Sequence, residues 1–311
     1  MDLSVIATLY QSAPFLEEFY RRMLAVSAPL FREIEFIFVV DGSPDQSLDV
    51  AQALQRRDPR VTVVDLSRNF GHHRAMMTGL SYAKGRHVFL IDTDLEEDPA
   101  WLEPFWKQMQ AENADLVFGV QKRRKGNSLE RWIGAAFYRL FNLLSDVKVS
   151  PSPTTARLMT RRFAHGLLQH RERELFLSGL CSVTGFHQVA VPVLKQSKGS
   201  TSYSFRRRLT LAVHAITSFS EKPLVAIFYA GLAISGLAGV MIVRFLYGLY
   251  FHGISVTGWA SLIVSIWFLG GLIILFLGIL GIYIARIFVE AKHRPYAIVR
   301  HVYSESKEAP R

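Results

Sequence analysis

The sequence predicts an α/β domain built on a mostly parallel sheet, followed by two membrane-crossing helices. Three observations predict it. Apolar, β-branched runs alternate with helical runs from Leu3 to Val120, the pattern of strands joined by crossover helices. Two long apolar runs, Leu224–Val243 and Trp259–Ala285, stand near the C-terminus. Basic clusters flank those runs.

Taken in order, Leu3–Tyr10 is apolar and β-branched and predicts a strand. Ala13–Ser27 has helical periodicity, with Pro14 near its start, where a missing N–H costs nothing. Ile34–Val40 is a continuous apolar strand ending at Asp41-Gly42-Ser43, and Gln46–Arg57 is helical. Val61–Leu66 predicts a strand, His72–Lys84 a helix, and His87–Ile91 a strand ending at Asp92. Pro99–Glu112 predicts a helix and Asp115–Val120 a strand. On such sheets ligands sit at the carboxyl ends of the strands. Asp41, Arg68 and Asp92 occupy such ends or the loops beyond them.

Asp92-Thr93-Asp94 carries the sharpest chemical signal. A pair of carboxylates one residue apart can hold a hard divalent cation, Mg2+ or Mn2+, through oxygen. Such a cation bridges diphosphate oxygens and offsets charge on a departing nucleotide. As a bare pattern, Asp-x-Asp also marks ordinary turns. Asp41-Gly42-Ser43-Pro44-Asp45 has two readings as well: a turn with Asp45 capping the next helix, or a site where Asp41 meets a nucleobase or ribose. In Ser67-Arg68-Asn69-Phe70-Gly71, Arg68 and Asn69 are candidates for phosphate or ribose contact, and an ordinary strand-to-helix loop is the alternative.

A helix needs about 20 apolar residues to cross a bilayer, and both C-terminal runs reach that length. Arg206, Arg207, Arg208 and Lys222 precede the first, and Arg286, Lys292, Arg294 and Arg300 follow the second. The linker carries only Arg244. The positive-inside rule then places both termini and the catalytic half in the cytosol, at the cytoplasmic membrane. Ser128–Ser145 and Leu209–Phe219 are amphipathic, and either core packing or an in-plane position on the membrane accounts for them. The expected organisation is a catalytic domain over 1–208, with 128–145 as an interfacial segment. A juxtamembrane helix over 209–222, two spans over 223–290 and a cytoplasmic tail over 291–311 complete it.

The chain has 311 residues and a formal net charge of +10. Much of the excess sits in Lys122–Lys125, Arg206–Arg208 and Lys292–Arg294. Because these clusters flank the apolar runs, anionic lipid is the expected partner, and nucleic acid is a poor fit. Cys181 is the lone cysteine, which excludes an internal disulfide framework. The N-terminus Met1-Asp2-Leu3-Ser4 lacks the basic and apolar regions of a signal peptide. A homo-oligomer stays open, since two membrane helices expose much surface.

Val5-Ile6-Ala7-Thr8-Leu9-Tyr10, Val40-Asp41-Gly42-Ser43, Ser67–Gly71 and Asp92-Thr93-Asp94-Leu95 resemble family 2 glycosyltransferases of the GT-A fold, a Rossmann-like arrangement. The order of pieces is similar to the polyprenyl-phosphate glycosyltransferases, such as dolichyl-phosphate mannose synthases and undecaprenyl-phosphate glucosyltransferases. The similarity continues through Arg157-Leu158-Met159, Gly185-Phe186, the segment from Gly199 to Tyr203, Ile216–Ser220 with Lys222-Pro223, and Gly281-Ile282-Tyr283 with Arg286. It implies that Thr8 and Tyr10 line a nucleotide-sugar pocket, with Asp41 on the base. It implies that Asp92 and Asp94 serve ribose, diphosphate and metal. Arg131 falls where the family holds a lipid phosphate. The sequence departs from the common pattern at His72-His73, at Glu96–Pro99, where Glu97 is the nearest match to the family's acid, at Gln121 and at Pro153–Ala156.

The implied reaction is inverting transfer of a sugar from a nucleotide sugar to polyprenyl phosphate. A lipid monophosphate has a second pKa of about 6 and is already largely anionic at neutral pH, so no strong general base is required. The difficulty is bringing that anion toward an anionic diphosphate. Arg123, Arg124, Lys125, Arg131 and Arg157 are candidates to offset the repulsion. Glu97, Glu172 and Glu174 are left to orient the sugar. Extension of a growing glycan is a second reading, weakened by the small number of spans and the lack of a Gln-x-x-Arg-Trp segment. A membrane-bound sugar-nucleotide sensor or scaffold is a third.

Overall fold

The structure, a computed structural model, describes residues 1–121, 153–170, 172, 176–195, 222–252 and 258–305. Among these, residues up to 195 and from 294 onward form one unit, and those between 222 and 293 form another. Arg123, Arg124 and Arg131, the 128–145 segment and most of the 209–222 segment lie outside the described residues.

The first unit is built on β1 (Leu3–Leu9), α1 (Ala13–Ser27), β2 (Ile34–Val40), α2 (Ser47–Arg57), β3 (Val61–Leu66), α3 (His72–Tyr82) and β4 (His87–Leu90). A 3₁₀ turn at Pro99–Trp101 leads into α4 (Leu102–Glu112), then β5 (Leu116–Gln121). Beyond these come β6 (Pro153–Thr160), α5 (Arg161–Leu168), α6 (Leu177–Thr184) and β7 (Gln188–Val193). The strands form one sheet in the order β7-β5-β6-β4-β1-β2-β3, with a further strand, β8 (Val299–Tyr303), beside β3. Pairings β1–β2, β1–β4, β2–β3 and β5–β7 are parallel. β6 runs antiparallel between β4 and β5, and β8 antiparallel to β3.

Every residue of β1 and β2 is buried. A strand covered on both faces needs apolar side chains in both directions, which is why Leu3–Leu9 and Ile34–Val40 read as continuous runs. On one face α1 inserts Leu16, Phe19 and Met23, and Phe19 meets Phe38 edge-on with ring centroids 6.4 Å apart. On the other, α3 lies so close that a Cβ on Gly79 would stand 2.5 Å from Ile6 Cγ2. Each large apolar side chain buried in this way stabilises the fold by roughly 1.5–3 kcal/mol.

The parallel strands share one carboxyl edge, and their loops meet there. The opposite edge is tied by side chains. Ser4 Oγ donates to Glu35 Oε1 at 2.5 Å, and Asp115 accepts from Thr160 Oγ1 at 2.9 Å and Arg162 Nη2 at 2.8 Å.

The second unit contains α7 (Lys222–His252) and α8 (Trp259–Ala291). Within them Leu224–Met241 has a mean hydropathy of 2.1 and Ser265–Ala291 of 2.6. Both helices are long and apolar enough to cross a bilayer. Their large side chains, Phe228, Leu237, Trp267 and Ile274 among them, are exposed along the helices. The tail expected over 291–311 contains β8, so part of it belongs to the sheet.

Candidate active site

The carboxyl edge of β1 and β4 holds the acidic pair. Thr93 is 2 % exposed, and its hydroxyl donates to the Thr8 carbonyl at 3.2 Å and contacts Ser12 Oγ at 3.0 Å. That inward anchor pins the triplet to β1 through its middle residue and leaves the flanking acids nearer the surface. Asp94 Oδ1 accepts the Glu96 backbone N–H at 2.9 Å, which turns the chain just past the pair. Leu95 takes a left-handed φ of 60° in this turn.

Asp92 is 19 % exposed at its side chain, and its Oδ1 lies 3.2 Å from His72 Nε2. The other ring nitrogen of His72, Nδ1, is 3.0 Å from Thr8 Oγ1. His72 opens α3, so its imidazole spans the ends of β1 and β4. Its side chain is 43 % exposed, yet partial desolvation in the site holds the imidazole down at about 4, against the pull of Asp41 and Asp94. It is therefore neutral at pH 7, and the tautomer that satisfies both contacts has Nε2–H donating to Asp92 and Nδ1 accepting from Thr8. Burial also pushes the Asp92 carboxyl above the ordinary carboxylate range; the Thr155 hydroxyl opposes the shift and the Asp94 charge adds to it.

Glu97 is fully buried. Its Oε1 accepts the Thr155 N–H at 2.9 Å and its Oε2 the Ala156 N–H at 2.7 Å, so it fastens the start of β6 beneath the acidic pair. Burial, reinforced by the Asp92 charge, pushes its carboxyl well above the ordinary range. Lys195 Nζ lies 3.3 Å from Glu96 Oε2 and 3.7 Å from Glu97 Oε1. Although burial lowers it, the Glu97, Asp92 and Asp94 charges together raise its ammonium above the ordinary value.

Asp41 is buried and accepts the Phe70 N–H at 2.7 Å and the Gly71 N–H at 2.9 Å. The loop after β3 is thereby drawn against the end of β2. Gly42 makes the approach feasible: its φ is +57°, and a Cβ there would stand 2.3 Å from Asn69 N. Arg68 and Asn69 remain exposed, with the Arg68 guanidinium 4.2 Å over the Phe70 ring. Tyr10, 50 % exposed, follows the carboxyl end of β1. Asp45, read from sequence as a cap, accepts from Ser47 N at 3.1 Å and Ala13 N at 3.1 Å, so it serves the starts of both α1 and α2.

Arg157 is 4 % exposed. Its guanidinium donates to the carbonyls of Thr155 and Thr154 at 3.0 Å each and lies 3.1 Å from Cys181 Sγ. The structure thus gathers Thr8, Asp92, Asp94 and Glu97 at one edge and sets Asp41, Arg68 and Asn69 at the neighbouring strand ends. Arg157 stands below the edge as a buried charge that favours the ionised form of Asp92. His72, Thr155 and Lys195 join the site without having been singled out as functional from sequence. Lys195 stands just beyond the carboxyl end of β7, whose parallel pairing with β5 no local sequence pattern signals.

The donor set suits a hard cation. Among the described residues no group of three or more His, Cys, Asp or Glu forms a closed metal cluster. Asp92 and Asp94 are the residues that would hold such a cation, through carboxylate oxygens.

Comparisons with known proteins identify the family and the fold. Residues 4–167 match the family described as Glycosyl transferase family 2. A Mycobacterium tuberculosis (strain CDC 1551 / Oshkosh) protein named among glycosyltransferases is 48 % identical over 97 % of this chain and 89 % of its own length. The bactoprenol glucosyl transferase of Shigella phage SfV is 32 % identical over 97 % of this chain and 99 % of its own. Among solved structures, a Pyrobaculum calidifontis mannosyltransferase in complex with GDP-Man and Mn2+ shares the fold, with a TM-score of 0.51 and 16 % identity over 93 % of this chain and 85 % of that one.

Proposed function

This chain belongs to glycosyl transferase family 2, and we propose that it transfers a sugar from a nucleotide sugar to a polyprenyl monophosphate at the cytoplasmic face of a membrane. The observation that carries the reading is the Asp92/Asp94 pair, anchored by Thr93 at the carboxyl edge of the sheet, in a chain that also holds two apolar helices of membrane length. The relative named as a bactoprenol glucosyl transferase aligns along 99 % of its length and 97 % of this chain. That alignment supports a lipid-phosphate acceptor.

In this reading Thr8, Tyr10, Asp41, Arg68 and Asn69 surround the nucleotide. Asp41 acts by holding the Phe70 and Gly71 amides, which sets the position of the Arg68 and Asn69 side chains. Asp92 and Asp94 hold a divalent cation, which supplies positive charge to the diphosphate when bound. The neutral His72 orients Asp92 by donating to Oδ1. Glu97 keeps β6 and the Thr155 hydroxyl in place against Asp92. Lys195 balances the acids while the site is free of substrate. Arg123, Arg124 and Arg131 receive the lipid phosphate, and Arg157 contributes its charge from beneath. The acceptor phosphate is its own nucleophile, so none of these acids has to remove a proton, and attack from the face opposite the leaving diphosphate inverts the anomeric carbon.

Both apolar helices cross the bilayer in this proposal, with the catalytic unit and both termini on the cytosolic side, where nucleotide sugars occur. The test is a screen of nucleotide sugars against undecaprenyl and dolichyl phosphates with the purified full chain. A sugar-phosphate lipid of inverted configuration supports the reading; a retained configuration, or transfer only to a glycan hydroxyl, overturns it.

A further inference from the structure

We propose that Arg300, on the strand that follows the second apolar helix in sequence, is a positioning residue for the nucleotide-binding loop Ser67–Gly71. The proposal rests on the reading of Arg68 and Asn69 as donor contacts.

The loop is held at both ends by different parts of the chain. At its far end the Asp41 carboxylate takes the Phe70 and Gly71 amides. At its near end both backbone groups of Ser67 go to the C-terminal segment. Ser67 N–H donates to the Ile298 carbonyl at 2.9 Å, and the Ser67 carbonyl accepts from Arg300 Nη2 at 2.7 Å. Arg300 Nη1 meanwhile lies 3.4 Å from Oδ2 of Asp65, a carboxylate only 4 % exposed. One guanidinium therefore spans the end of β3 at Asp65 and the first residue of the loop.

The register of β3 against β8 shifts between Asp65 and Leu66, so regular ladder bonds do not carry the pairing smoothly into the loop. The Arg300 fork bridges that irregularity. Arg68 and Asn69, exposed between the two clamps, depend on both for their direction. A planar guanidinium can reach a carboxylate and a carbonyl together, whereas a lysine ammonium offers a single charge centre on a flexible stem. An edge strand that merely covered β3 would need no such fork, since backbone pairing alone covers an edge.

The experiment uses the detergent-purified full chain, with UDP and GDP as probes in titration calorimetry. Arg300→Ala is expected to weaken the tighter-binding nucleotide about tenfold, the loss of one well-placed hydrogen bond and one ion-pair contact. Arg300→Lys should fall between Arg300→Ala and the parent. The polyprenyl-phosphate KM and the melting temperature should stay near the parent values, which separates positioning of the donor loop from general support of the fold. Nucleotide affinity within twofold of the parent in Arg300→Ala, with Arg68→Ala and Asn69→Ala both weakened, overturns the role of Arg300 and leaves the donor loop standing. No effect in Arg68→Ala and Asn69→Ala, or no binding of either nucleotide by the parent, overturns the donor-loop reading and this inference with it. If Arg300→Ala fails to fold, Arg300→Lys decides: unchanged affinity refutes the fork, and weakened affinity at an unchanged melting temperature supports it.

Discussion

His72 Nε2 lies 3.2 Å from Asp92 Oδ1, while the opposite nitrogen of the same ring meets Thr8 Oγ1 at 3.0 Å. The imidazole fixes the direction of a carboxylate that burial alone would leave poorly solvated. Partners of this kind commonly change metal affinity by about 10–100-fold when removed. His72→Ala is expected to raise the Mn2+ concentration for half-maximal transfer by about tenfold, with the polyprenyl-phosphate KM unchanged. An unaltered Mn2+ dependence would separate His72 from the function of Asp92.

Asp94→Asn should abolish transfer, a loss of about 100-fold or more, because half of the proposed oxygen set loses its charge. The protein should still insert into membranes, since α7 and α8 are remote in sequence from the change. Activity in vesicles and a carbonate-extraction assay check the two halves of this expectation. Near-normal turnover would break the link between the carboxylate pair and catalysis.

Gly42→Ala should cost about 1–3 kcal/mol from backbone strain alone. The clash with Asn69 and Arg68 adds to it, so the 67–71 loop should be pushed away from β2. Donor KM is expected to rise more than acceptor KM. Equal kinetics in the parent and variant would contradict the close approach.

Arg131→Ala should weaken the lipid phosphate more than the nucleotide sugar, read as separate Michaelis constants on the full chain. A shift confined to the donor constant would reassign Arg131 to the nucleotide.

Asp58 provides a check of the catalytic unit away from the site. Hydrogen bonds from Arg60, with a further one from Tyr20, hold its carboxyl down at about 2 against a usual value of 3.8. The folded value is depressed, so its contribution is complete above pH 4 and is lost as pH falls through 2. Asp58→Asn should lower stability at pH 7 by about 1 kcal/mol after solvent screening. That difference should shrink between pH 4 and pH 2. Thermal unfolding across this range measures it; a gap that stays constant with pH would place the effect in packing rather than charge.

The parts legible in the sequence are those whose physics is local. Leu3–Leu9 and Ile34–Val40 announce buried strands because both of their faces are apolar, and Asp92-Thr93-Asp94 announces a site because it ends one. β6 is harder to read because it opens on Pro153 and runs against its neighbours, and what fastens it, Glu97, lies far away in sequence. β8 is harder still. Arg300 follows a membrane-length helix and reads as part of a basic flank, and only the pairing with β3 reveals a strand. For Asp41 the sequence shows a strand-end acid, but its bonds to Phe70 and Gly71 depend on a loop approach that no local pattern encodes. Likewise Lys195 acquires meaning only when β7 is laid parallel to β5.

The central claim is that a cation-dependent carboxylate pair moves a sugar onto a lipid phosphate. Its most direct measurement is the fate of radiolabelled nucleotide sugar incubated with membranes containing the full chain and undecaprenyl phosphate. The account predicts that label moves into the chloroform phase with Mg2+ or Mn2+ present, and that EDTA or Asp94→Asn keeps it in the aqueous phase. Label that enters chloroform equally well in EDTA or with Asp94→Asn, or that stays aqueous across the whole donor panel while the nucleotide binds, would contradict it.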